Sequence, residues 1–90
     1  MNNLIVKRRG QTETFDERKL YASVYSACSA LRTPSGEAEL VAAEVTERVK
    51  QWLDGKHEVT SNDIQLRANK HLAALNREAA YLYNTHDTIN

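Results

Sequence analysis

The sequence predicts an α+β fold in which a short antiparallel β-hairpin caps a bundle of four helices. Three observations carry this. Val6 to Phe15 reads Val-Lys-Arg-Arg-Gly-Gln-Thr-Glu-Thr-Phe, two strand-like arms around Gly10. Four later stretches carry apolar residues at helical spacing. An isolated two-stranded hairpin is marginal in water, so the ribbon must lie on those helices to persist.

Taken in order, the Arg9-Gly10 step supplies the turn, because glycine takes φ > 0 without steric cost. Alternation along the first arm puts Val6 and Arg8 on one face and Lys7 on the other. Asp16 stands where an N-cap belongs, and Leu20, Val24, Ala27, Cys28 and Leu31 follow as the apolar stripe of a first helix over 17–31. Pro34 ends that stretch, and Ser35 is placed to cap a second helix over 36–54. Ala38, Val41, Ala42, Val45, Val49, Trp52 and Leu53 line one side of it, and Val41, Val45, Val49 and Trp52 are expected at the centre of the core. Glu44 and Arg48 make an i,i+4 pair on the other side, and Asp54-Gly55 supplies a left-handed stop. His57 to Thr60 is extended in character, and Val59 could add a third strand to the hairpin. Thr60 or Ser61 caps a third helix over 62–75, with Asp63 in a capping-box arrangement and Ile64, Ala68, Leu72 and Leu75 as its stripe. Asn76 caps a fourth helix bearing Ala79, Ala80, Leu82 and Tyr83, whose pattern is lost from Asn84 to Asn90, where fraying is expected.

Ninety residues suit one domain, spanning 1–90, that buries a little over about 60% of its unfolded surface. Twelve basic residues balance twelve acidic ones, so no global field holds nucleic acid or an anionic membrane, and an anion site must be local. Met1 to Val6 is too short an apolar run for a signal peptide, and nothing approaches the roughly 18 to 20 apolar residues of a membrane span. A cytoplasmic location is expected. The lone Cys28 can form neither an internal disulfide nor a zinc site, which leaves a small buried hydrophobe or a reactive thiol.

Catalytic chemistry finds little material here. His57, His71 and His86 are scattered without metal-ligand spacing, no serine sits in a Gly-x-Ser-x-Gly elbow, and no glycine-rich phosphate loop is present. The chain is therefore expected not to be an enzyme and to hold no metal of its own. Tyr21, Tyr25, Tyr81 and Tyr83 could stack on bases, but tyrosines flanking helical stripes more often pack at the core margin. Lys7, Arg8 and Lys19 form a different group. Asp16 starts the first helix just after the hairpin, so Lys19 lies one turn in, and the three cations are placed to converge. Such a cluster beside a helix N-terminus suits a polyphosphate, and equally suits solvated surface charge.

A family resemblance bears on that choice. Val6-Lys7-Arg8-Arg9-Gly10-Gln11-Thr12-Glu13, followed by Phe15-Asp16-Glu17-Arg18-Lys19-Leu20, resembles the start of the ATP-cone, the nucleotide-sensing module of ribonucleotide reductase large subunits and of the repressor of reductase genes. Glu58 to Gln65 is similar to the cone's strand entering its third helix, and Ala79 to Tyr83 to its last helix. The resemblance implies that Lys7 and Arg8 hold phosphates, with Lys7 on the helix side beside Lys19, which assists. It implies that Glu13 meets the adenine edge and Ser61 the base or ribose, while Val6, Phe15, Leu20 and Ile64 form the apolar slot for the ring. Two positions depart from the family pattern. Arg9 stands where the cone usually has aspartate, and Asn84, His86 and Asp87 stand where it usually has a basic residue.

The resemblance thus implies a free-standing regulatory module that binds ATP or dATP, with Mg2+ as the accompanying ion, and reports nucleotide balance through homo-oligomerisation or docking on ribonucleotide reductase or another regulated protein. Nucleic acid and membrane are not expected partners. The alternative, from another class, is a helical interaction module that keeps the fold without the nucleotide.

Overall fold

In the computed structural model, which describes residues 4–89 and side chains as far as Thr85, the chain runs ββααβαα. The hairpin consists of β1 (Ile5–Arg8) and β2 (Gln11–Thr14), paired antiparallel with Val6 opposite Glu13 and Arg8 opposite Gln11. Its turn has positive φ at both central residues, 50° at Arg9 and 82° at Gly10, as a two-residue type I′ connection requires. Val59 does add a strand. β3 (Glu58–Thr60) lies parallel to β1, with Val6 opposite Val59, so β1 is central in the order β2-β1-β3.

The four helices are α1 (Glu17–Ala30), α2 (Ser35–Leu53), α3 (Ser61–Leu75) and α4 (Arg77–Ile89). The Asp16 carboxylate accepts from the Arg18 N–H at 2.9 Å and caps α1. Thr60 and Asp63 form a reciprocal capping box on α3, and Asn76 Oδ1 accepts from the Ala79 N–H at 3.0 Å at the start of α4. Ser35 is not a cap. Pro34 occupies that position without a side-chain hydrogen bond, and Ser35 is already helical, because the proline's fixed φ is compatible with a helix entry. α1 ends earlier than expected, with Arg32 left-handed (φ 61°) and the Thr33 N–H returning to the Cys28 carbonyl at 3.2 Å. α4 continues through the stretch where the apolar pattern is lost; the His86 and Asp87 side chains lie outside the described residues.

α1 packs on α2 and α4, α3 on α2 and α4, and the sheet lies across α3. The core joins Leu4, Val6, Val59, Leu20, Val24, Cys28, Ala38, Ala42, Val45, Val49, Leu53, Ile64, Ala68, Leu72 and the inner residues of α4. Val45 and Val49 hold the expected central position, whereas Val41 and Trp52 lie half-buried at the margin. The stripe is rotated toward Ala38, Ala42 and Leu53, and the two alanines let α2 approach its neighbours closely. Cys28 is fully buried, and desolvation, followed by the nearby Glu37 charge, pushes its thiol upward. No helix among the described residues is long and apolar enough to cross a membrane.

A candidate nucleotide groove between hairpin and helices

Strand alternation decides which side chains enter the space beneath the hairpin. Val6 is 6% exposed against the helices, so Arg8, two residues on, shares its face. Lys7 turns the other way, where its Nζ meets Glu58 Oε2 at 2.9 Å with both side chains about half exposed. Lys19 lies on α1, its Nζ 3.7 Å from Glu13 Oε1. Lys7, Arg8 and Lys19 therefore do not converge as a trio, and Lys7 does not stand beside Lys19 on the helix side. The period of two in β1 separates Lys7 from the face that Lys19 approaches.

Two adjoining depressions take the remaining residues. The first, of about 180 Å³, has an apolar floor of Val6, Phe15, Leu20, Ile64 and Tyr83, and a polar rim that includes Arg8, Glu13, Lys19, Ser61 and Gln65. The second, of about 480 Å³, is lined by Lys7, Arg8, Arg9 and Gly10 of the hairpin and by Thr60, Ser61, Asn62 and Gln65 at the start of α3. Arg8, Ser61 and Gln65 belong to both, so the two form one groove, apolar at one end and cationic at the other. Eight of the nine residues expected at the site line the first depression, and the ninth, Lys7, lines the second.

Local sequence explains the placement. Ser61, Ile64 and Gln65 recur at i, i+3 and i+4, one face of α3, and the Thr60–Asp63 box fixes where that face begins. The first turn of α3 presents its positive end to the second depression, beside Arg8 and Arg9, which form no ion pair among the described residues. At the other end, the backbone hydrogen bond from Arg18 holds the Asp16 carboxyl below its ordinary range, keeping the α1 cap ionised at the groove's edge. The Ser23 hydroxyl donates to the Leu20 carbonyl at 2.8 Å, which commits its proton to the helix.

Gln65, Tyr83 and Arg9 were not among the residues expected at the site. Gln65 follows Ile64 and lies one turn beyond Ser61, a spacing that could have placed it there; its Nε2 donates to Asn84 Oδ1 at 3.5 Å, linking the groove to α4. Tyr83 shares the buried stripe of Ala79 and Ala80, and nothing local reveals that this stripe ends under the hairpin. Among the described residues, no group of three His, Cys, Asp or Glu side chains gathers to hold a metal ion.

The site is thus an apolar slot running into cations at a helix N-terminus, beneath a small sheet that packs on α3. The family model described as an ATP cone domain matches residues 3–85, and the chain belongs to that family. Among curated proteins it is similar to the transcriptional repressor NrdR of Corynebacterium diphtheriae, 35% identical over 79 residues, which is 88% of this chain and 50% of that protein. It is also similar to the transcriptional repressor NrdR of Microcystis aeruginosa, 33% identical over 60 residues, 67% of this chain and 34% of that protein. The chain thus spans between a third and a half of the length of these relatives. No solved structure matches it.

Proposed function

We propose that this chain is a regulatory, non-enzymatic module that binds an adenine nucleotide, ATP or dATP with Mg2+, in the groove beneath the hairpin. The carrying observation is the continuity of the apolar depression with the cationic one through Arg8, Ser61 and Gln65. The ring occupies the slot of Val6, Phe15, Leu20 and Ile64, where removal of its apolar surface from water drives binding. Glu13 accepts from the exocyclic amine of the base, and Ser61 meets the base or ribose. Phosphates lie over the start of α3, held by Arg8 and Lys7, while Lys19 stays at the ring end beside Glu13. Binding alters self-association or docking on a regulated partner, in the control of ribonucleotide reductase. The repressor names of the matched relatives support a regulatory role rather than a catalytic one.

Calorimetric titration tests this directly. Micromolar binding of ATP or dATP in the presence of Mg2+, with GTP weaker, is the expected result. Absence of any binding heat with millimolar ATP and dATP at two temperatures would leave the chain an interaction module without nucleotide.

A further inference from the structure

The outer seam between α2 and α3 carries a second feature, on the side of α3 away from the groove. Trp52 of α2 is half-buried there, with Lys56 Nζ 5.0 Å and Arg67 Cζ 4.9 Å from its ring centroid. Trp52, Asp63, Leu66, Arg67 and Lys70 line a shallow depression, and Leu66 is 58% exposed within it. Charge in this place is unbalanced although the chain as a whole is neutral. Lys7, Arg18, Lys19, Arg48 and Lys50 each have a carboxylate partner. Lys56, Arg67 and Lys70 form no ion pair among the described residues. Asp63, the only carboxylate lining the depression among the described residues, accepts from the Thr60 N–H at 3.2 Å and serves the capping box. An exposed leucine and a tryptophan edge ringed by three unmatched cations make a surface complementary to acidic groups around an apolar side chain.

We propose that this seam docks an acidic segment of a partner protein. A leucine or phenylalanine of that segment seats against Leu66 and the edge of Trp52, while flanking carboxylates pair with Lys56, Arg67 and Lys70. The arrangement favours peptide over nucleic acid. Lys56 and Arg67 already lie over the indole, so its face does not serve base stacking, and three cations are few for tracking a phosphate backbone. Nothing in this proposal depends on nucleotide binding in the groove.

Trp52 is the one tryptophan of the chain, so its emission reports occupancy. The 90-residue protein is titrated with a helical peptide of about three turns carrying a central leucine flanked by glutamates on the same face. Parallel titrations use the same peptide with lysine for glutamate, and oligothymidylate. The expected result is a saturable emission change with the glutamate peptide alone, weakened by added NaCl. The double variant Arg67→Glu and Lys70→Glu, whose sites are exposed or half-exposed, should bind it about tenfold or more weakly. Leu66→Gln, which keeps every charge, should weaken it as well and decides the matter if the double variant does not fold. The proposal is overturned by no saturable change with the glutamate peptide, by undiminished binding in folded variants, by equal or tighter binding of the lysine peptide or oligothymidylate, or by an emission change that tracks protein concentration alone.

Discussion

Within β1, alternation turns Arg8 toward the helices and Lys7 toward Glu58, so two adjacent cations have different work to do. Among the described residues Arg8 has no carboxylate to release before it meets a phosphate, whereas Lys7 must give up a 2.9 Å ion pair. Arg8→Ala should therefore weaken ATP binding by roughly 10-fold to 150-fold, the loss of a charge-assisted contact worth about 1.5 to 3 kcal/mol. Lys7→Ala should cost less, and neither should move the melting point without ligand, since exposed charges contribute little to folding. Calorimetry on both variants checks the order; a larger loss in Lys7→Ala would place the phosphates on the Lys7 face of the sheet, beside Glu58. His71 offers a second test at this scale. Burial first, then the charges of Arg48, Arg67 and Lys70, lowers its pKa in the folded state. Folding then excludes a proton that the unfolded chain accepts near pH 6.5. The associated stability is fully present above that value and is lost as pH falls through the lowered folded one. Urea melts between about pH 7 and 5 should show less decline in His71→Gln than in wild type.

Each element's legibility depended on whether its signal was local. The hairpin, the Asp16 and Asn76 caps and the Thr60–Asp63 box are written within a few residues, and all form. The orientation of α2 is not local. Its apolar arc is wide enough to admit two rotations, and the one adopted buries Ala42 and Leu53 while leaving Val41 and Trp52 at the margin, because α1 and α3 approach from both sides. That packing also buries Thr46, whose hydroxyl finds no partner among the described residues. Thr46→Val should raise stability by about 1 kcal/mol by removing the desolvated hydroxyl, and a denaturant melt with a lower midpoint would mean the hydroxyl is satisfied in solution. Arg9 is the opposite case, a residue whose cost is local. At φ 50° it occupies a conformation where asparagine and aspartate are easier than arginine, so Arg9→Asn should stabilise the free protein by roughly 0.5 to 1 kcal/mol. The same substitution removes a cation from the phosphate end of the groove and should weaken ATP binding. Loss of affinity together with gained stability would mark Arg9 as a strained functional residue; loss of both would mark it as structural.

At the scale of the whole molecule, the groove exists only because separate parts of the chain meet. Val6, Glu13 and Phe15 come from the hairpin, Lys19 and Leu20 from α1, Ser61, Ile64 and Gln65 from α3, and Tyr83 from α4. The motifs named most of these residues, since each motif lies at the junction of a strand and a helix. Tyr83 stayed hidden because its part in the groove is set by helix packing rather than by neighbours in sequence, whereas the spacing of Gln65 from Ser61 and Ile64 was a local signal for it. A ligand there bridges the two-stranded end of the sheet to three helices, so binding energy should appear as global stability. At about 100 times the dissociation constant, ATP should add roughly 2.7 kcal/mol. For a domain of this size that is roughly 10 to 20 °C in melting temperature. Differential scanning fluorimetry with Mg2+ and ATP, dATP or GTP measures it, and the shift should be largest for the adenine nucleotides and much reduced in Arg8→Ala. Amide exchange adds location: protection should rise in β1, β2 and the first turns of α1 and α3, while the α2 face around Arg48 and Gln51, outside the groove, should change only through the global term. A melting shift without added protection in the hairpin would show that nucleotide stabilises the protein from some other surface, and the assignment of the groove would fall even though binding itself stood.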